Sequence, residues 1–187
     1  MSVRPIVLSD NPILHQKSHR VKRFGSALQQ LAADMVETMH AANGAGLAAI
    51  QIGELERVIA VQVPEDDENV EEGKLYVVVN PELARTSREM EEGIEGCLSI
   101  PGWVGEVERH YAVTVKGKDL DGKAVRIRAQ GMLARAFQHE IDHTNGILFI
   151  DHIEDPEKIW PVPEGEEEAA EAAQEVPGGV ASSGPLE

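Results

Sequence analysis

The sequence predicts an α+β fold in which mixed or antiparallel strands surround one central helix carrying an HExxH pattern. Three observations lead there. Short β-branched runs, RVIAVQV at 57–63 and LYVVVN at 75–80, are separated by the acidic, turn-forming PEDDENVEEG. The alternating segments 111–116 and 124–128 flank KDLDGK, whose Asp121-Gly122 pair is a strong hairpin signal. Finally, GMLARAFQHEIDHTNG, starting at Gly131, has helical periodicity and closes near Asn145 and Gly146, a suitable left-handed cap.

The remaining elements follow in order. The first 25 residues, with Pro5, Pro12 and a basic cluster from His19 to Arg23, read as an irregular arm. Ser26 is a good N-cap for SALQQLAADMVETMHAANG, where Leu28, Leu31, Met35 and Met39 form one apolar stripe. In GAGLAAIQIG, Gly44 to Gly53, small residues stand where bulk would fit, so backbone can approach a neighbour closely. After Pro81, the charged ELARTSREMEEGIEG reads as a connection that delivers Cys97, with Pro101 and Gly102 breaking regular structure beyond it. ILFI at 147–150 reads as a short apolar strand or extended segment. The expected organisation is one domain over residues 1–155 and an acidic, Pro/Gly/Ser-rich, flexible tail over 156–187.

Composition excludes several classes. At 187 residues and 42% hydrophobic, the chain can bury one sizeable core. No apolar run approaches the roughly 20 residues that cross a bilayer. The opening MSVRPIVLSDNPIL has charge and proline where a signal peptide carries its apolar segment, so a cytoplasmic location is expected. A single cysteine, Cys97, excludes an internal disulfide. The net charge of −16 is unevenly spread: eleven acids and one base lie from Asp151 onward, leaving 22 acids against 16 bases before it. No basic stripe survives that count, and neither membrane association nor direct nucleic-acid binding is expected.

The chemistry concentrates in HEIDH. His139 and His143, four apart on a helix, project from one face and can converge on one metal ion, while Glu140 can reach a water beside that ion as a general base. A hydrolytic site of this kind needs a third ligand and an open position. Position 149 is Phe149, so a third histidine on the metzincin pattern is missing, and Cys97 is the remaining candidate. A lone cysteine is more often a small buried hydrophobe, but its loop setting beside Gly96 weakens that reading.

Three motifs, GAGLAAIQ at Gly44–Gln51, EGCLS at Glu95–Ser99 and QHEIDH at Gln138–His143, occur in the order found in peptide deformylases, and the chain resembles that family. The likeness extends to NPIL, DMVETMHAANG, NPEL and GILFID, covering roughly residues 3–152. The resemblance implies removal of the formyl group from the N-terminal formyl-methionine of new polypeptides, with release of formate. It implies Cys97, His139 and His143 as ligands of one divalent ion, Fe(II) in the cell, with Zn, Ni or Co also suited to one thiolate and two imidazoles. Glu140 would take the proton of the attacking water and pass one to the departing amine, while the Gln51 amide and the Leu98 N–H would steady the developing oxyanion. Gly46 and Gly96 would pair through their backbones with an extended peptide. Ala45, Gly93, Met132 and Ala136 would line the methionine pocket, with Arg135 at its rim.

The chain departs from the family pattern in places. Thr144 stands where Leu is usual, His152 where Arg or Tyr is common, and Ala45 where a bulky aliphatic is frequent. Many bacterial deformylases end in a basic helix that docks on the ribosome. Residues 153–187 hold one lysine and ten acids, so proximity to the ribosome is expected from the substrate but that docking helix is absent. Two other readings compete: a metallopeptidase, supported by HEIDH alone, and a structural metal clip, which would require a fourth protein ligand that no motif supplies.

Overall fold

Val58–Val61 sets the plan of the molecule, because all four of its residues are buried and alternate residues face opposite cores. Val58 and Ala60 join one apolar cluster and Ile59 and Val61 the other. A strand of this kind is covered by a helix on each side. In the computed structural model, which describes residues 2–63 and 73–162, those helices are α1 (Ser26–Ala41) and α2 (Gly131–Thr144).

Eight strands make two sheets. β1 (Gly46–Ala48), β2 (Val58–Val61), β3 (Tyr76–Thr86), β6 (Ala112–Lys118) and β7 (Ala124–Gln130) lie in the order β1-β2-β3-β6-β7. β4 (Met90–Gly96), β5 (Trp103–His110) and β8 (Ile159–Pro161) form the second sheet, and every named pairing in both sheets is antiparallel. On one side of the larger sheet, Leu28, Met35 and Met39 of α1 pack with Leu47, Val58, Ala60 and Val79. On the other, Ala134, Phe137 and Ile141 of α2 pack with Ile59, Val61, Val78, Val113 and Val115. α2 also touches β5, so it lies against both sheets. The fold is mixed α and β with antiparallel sheets, as the sequence predicts.

The structure corrects the sequence reading at several boundaries. Gly25 takes the N-cap position of α1, with no side-chain cap, and Ser26 is already helical. Pro81 does not end β3: a bulge between Val79 and Glu82 absorbs it. Asn80 adopts φ 55° there, and its side-chain amide both accepts from the Val21 N–H and donates to the Val21 carbonyl. The charged stretch after Pro81 is therefore the second half of β3 plus β4. Its exposed, two-sided polar pattern hides the period-2 signal of a strand.

Phe149–His152 is a turn of 3-10 helix rather than a strand, closed by the Leu148 N–H donating to the Asp151 carboxylate. Residues 156–161, assigned to the tail from sequence, continue the ordered fold, because Ile159–Pro161 pairs with Trp103–Gly105. The rest of the expected tail, from 163, lies outside the described residues. The 121–122 turn, with Gly122 at φ 82°, and the Gly146 cap of α2, at φ 77°, stand where the sequence places them.

Candidate active site

Met132, Ala136, His139 and His143 follow one another at spacings of four, three and four residues, which puts them on one face of α2. Phe137 and Ile141, wholly or nearly buried in the core between α2 and the larger sheet, fix the rotation of the helix. That rotation aims both imidazoles at the turn after β4, where Cys97 sits. Cys97 Sγ lies 3.2 Å from His143 Nε2, and His143 Nε2 lies 3.2 Å from His139 Nε2. All three ligand atoms fall within 4.8 Å of one another, a grouping fit for a metal ion. Two nitrogens bound tetrahedrally to one ion at 2.0–2.1 Å would be about 3.3 Å apart, so this spacing suits shared coordination.

The tautomers support the same use. His139 Nδ1 lies 2.9 Å from the Glu95 carboxylate, so its N–H points there and Nε2 offers its lone pair to the centre of the site. Burial depresses His143 well below the usual imidazole range, which keeps it neutral as a ligand must be. For His139, burial works in the same direction, but the Cys97 and Glu95 side chains beside it hold it well above that range. A cation entering the site would displace that proton. Among the described residues, His143 Nδ1 is buried without a hydrogen-bond partner.

Glu140 faces the cavity from the same helix. Burial pushes its carboxyl up to about 7, and Oε2 has no hydrogen-bond partner among the described residues. It lies against Gly46: a Cβ there would stand 2.8 Å from the carboxyl carbon, so only glycine leaves the carboxylate room. Gln51 is 1% exposed, and its orientation is set by its surroundings. Its Oε1 accepts from the Ala48 N–H at 2.8 Å, which turns Nε2 toward Ser99 Oγ at 3.2 Å and Cys97 Sγ at 3.5 Å. The Leu98 N–H, next to Cys97, makes no hydrogen bond with another described residue.

These groups share one cavity of about 340 Å³, which Ala45, Gly46, Gly96, Met132, Arg135 and Ala136 also line. His143 lies behind it, fully buried. One expected wall residue needs correction. Arg135 lines the cavity while only 6% exposed, with Nη1 donating to Glu95 and to the Val107 and Gly93 carbonyls and Nη2 to the Glu91 carbonyl. Gly93 makes room for it, since a Cβ there would meet the guanidinium at 2.7 Å. Gly93 therefore acts on the cavity through Arg135 rather than lining it.

Glu95 is the residue that the sequence reading quoted without giving it a role. It accepts two hydrogen bonds from Arg109 at 2.8 and 2.9 Å, one from Arg135 at 3.0 Å and one from His139. Burial works to raise its carboxyl, but Arg109 and His139 hold it well below the usual carboxylate range. Arg109 also donates to Asp142, the residue before His143, so one guanidinium ties the Cys97 strand to the histidine helix. His152 adds a 2.8 Å contact with Asp142. A sequence signal existed: Arg109 follows Val107 at strand period, so a cation falls in a buried register and requires a buried anion. Thr144, fully buried, satisfies its hydroxyl by donating to the Ile141 carbonyl.

Comparison with known proteins identifies the family. The family described as polypeptide deformylase matches residues 3–159. A peptide deformylase of Thermomicrobium roseum is 51% identical over 176 residues, 92% of this chain and 98% of that protein. One from Roseiflexus castenholzii is 47% identical over 168 residues, 83% of this chain and 91% of that protein. Among solved structures, the Ehrlichia chaffeensis peptide deformylase has a TM-score of 0.79 at 37% identity, covering 84% of this chain and 91% of that one. A class I type b peptide deformylase of Acinetobacter baumannii, solved with Met-Ala-Ser bound, has a TM-score of 0.76 at 42% identity over 82% of this chain and all of that one. The chain belongs to the polypeptide deformylase family.

Proposed function

We propose that this protein removes the formyl group from the N-terminal formyl-methionine of newly made polypeptides and releases formate. The observation that carries the proposal is the meeting, in one cavity, of the Cys97–His139–His143 grouping with Glu140 and an oriented Gln51 amide. Deformylases are metalloenzymes, and Cys97, His139 and His143 are the residues that would hold the ion. When bound, a divalent ion supplies Lewis acidity for the formyl oxygen and for the attacking water. The soft thiolate with two imidazoles suits Fe(II), our choice for the cell, and also accepts Zn, Ni or Co.

The chain's own residues do the rest. Glu140 takes a proton from the attacking water and returns one to the methionine nitrogen as the C–N bond breaks. Gln51 Nε2 and the Leu98 N–H donate to the formyl oxygen as it gains negative charge, a contribution worth about 10²–10³ in turnover per donor. Met132, Ala136 and Ala45 give the methionine side chain apolar walls, and Arg135 closes one side. The backbones of Gly46 and Gly96 offer an extended peptide strand-like pairing. We place the catalytic unit from the N-terminal arm through Pro161, and its substrate places it in the cytoplasm. No helix among the described residues is long and apolar enough to cross a membrane.

The test is formate release from formyl-Met-Ala-Ser by protein purified under reducing, anaerobic conditions and loaded with Fe(II) or Ni(II). Release of formate with the peptide bonds intact is the expected result. Cleavage of internal peptide bonds at a comparable rate would make it a peptidase instead.

A further inference from the structure

The larger sheet is covered unevenly. On the face that α1 packs against, the main contacts of α1 are with β1 and β2, and the β3–β6–β7 end of the same face meets the N-terminal arm at Arg20, beside Glu82, and Phe24, beneath Lys118. There the outward residues are basic. Arg85, Thr114 and Arg128 pair across three strands, Glu82, Lys116 and Arg126 form the next row, and Lys118 follows. Arg20 joins them by donating to Glu82 at 2.6 Å. Six cations thus share this face with one carboxylate, Glu82, which Arg20 and Lys116 both already hold. Arg85, Arg126 and Arg128 are exposed and form no ion pair with any described residue. Arg85 and Arg128 flank Thr114 in an open depression of this surface.

The second sheet carries the opposite sign. Glu92, Glu106 and Glu108 of β4 and β5 share one face and are exposed or half-buried, and Lys158 pairs with Glu92 and Glu106. A chain of net charge −16 therefore presents a basic face and an acidic one. Net charge counted along the sequence hides this division, because alternate residues of β6 and β7 all reach the same side.

We propose that the outer face of β3, β6 and β7 is a docking surface for an RNA phosphate backbone. Charge complementarity carries the choice: guanidinium groups without partners among the described residues are matched by phosphate oxygens, which they can grip in pairs. Alternate residues on a strand are about 6.8 Å apart and neighbouring strands about 4.8 Å apart, so Arg126, Arg128, Lys116 and Arg85 form a grid that can follow successive phosphates. The interleaved residues on this face are Ala112, Thr114, Ala124 and Gln130, and Phe24, beneath Lys118, packs against the core, so the face lacks the projecting apolar bulk that insertion into a lipid surface needs. The acidic sheet repels the same partner and so fixes which side docks. The choice of RNA rests on the deformylase reading in one respect: a newly made chain begins beside ribosomal RNA. The proposal replaces the expectation from charge counting that the protein avoids nucleic acid.

The test uses the full chain and an end-labelled single-stranded RNA oligonucleotide, with binding followed by fluorescence anisotropy between about 50 and 200 mM salt. The four cations of that grid predict a log–log salt slope of about −3. The triple variant Arg85→Ala, Arg126→Ala, Arg128→Ala should lose about two units of that slope and at least about tenfold in affinity. Its formate release from formyl-Met-Ala-Ser and its thermal midpoint should be unchanged. A flat salt dependence, equal binding by the variant, or tighter binding to polyglutamate or to phosphatidylserine vesicles would overturn the proposal. Failure of the wild type to release formate would instead overturn the enzymatic reading and leave the RNA result standing.

Discussion

Replacing Glu95 with Ala should damage folding and metal affinity together. The side chain is 4% exposed and faces two guanidinium groups that are 6% and 7% exposed. Among the described residues, its removal leaves Arg109 with Asp142 and His152 as remaining partners, and Arg135 with backbone carbonyls alone. Breaking a buried pair from one side costs about 3–5 kcal/mol, because an uncompensated charge stays behind. For a domain of this size each kcal/mol moves the melting temperature by about 2–4 °C, so a fall of about 6–20 °C is expected. His139 also loses the acceptor that fixes its tautomer, which should weaken metal binding by about 10–100-fold. Glu95→Gln keeps the shape and one acceptor and should fall between the two. Calorimetry and metal titration read both effects. A stability loss under about 1 kcal/mol, or unchanged metal affinity, would refute the view that Glu95 joins the strand to the helix.

Other variants probe separate links. Gly46→Ala should displace the Glu140 carboxyl and lower kcat by about 10²-fold or more while metal stoichiometry holds, because the cost falls on proton transfer; unchanged kcat would show that the contact is not limiting. Arg57→Met removes donors from the Pro81 and Thr144 carbonyls and from Asn145, and should cost about 1–3 kcal/mol in urea unfolding. Hydrogen bonding from Lys116 and Arg20 holds the Glu82 carboxyl below its ordinary 4.5. Its contribution to stability is therefore complete above the unfolded value and lost as pH falls through the folded one. A carbon NMR titration should find the Glu82 midpoint below 4.5, moving upward in Lys116→Ala; a midpoint that ignores Lys116 would contradict the pairing.

Much of the site could be read in the sequence because its parts are local. His139, Glu140 and His143 need only helical spacing, and Gln51 and Cys97 sit in short motifs whose residue types carry the chemistry. What could not be read depends on pairing between distant segments. Glu95 becomes meaningful only when Arg109, on the neighbouring strand, and Arg135, on α2, are brought beside it. The burial of Arg135 depends on Gly93, a distant residue that leaves the guanidinium its place inside. β4 has polar residues on both faces and so shows no period, and β3 runs past Pro81 through a bulge that the proline alone does not reveal. The basic face was invisible for the same reason: its cations come from four separated segments, and a net count spreads them through an acidic chain.

The central claim is a division of labour, with Cys97, His139 and His143 holding the ion and Glu140 moving the proton. Its most direct test is metal content and formate release measured together on Cys97→Ala and Glu140→Ala, each reconstituted with Co(II) so that thiolate coordination is seen in the absorption spectrum. The account predicts that Glu140→Ala keeps a full equivalent of Co(II) and the thiolate band but loses turnover, and that Cys97→Ala loses both the band and the metal. Turnover surviving in Glu140→Ala, or a full equivalent of metal in Cys97→Ala, would contradict it.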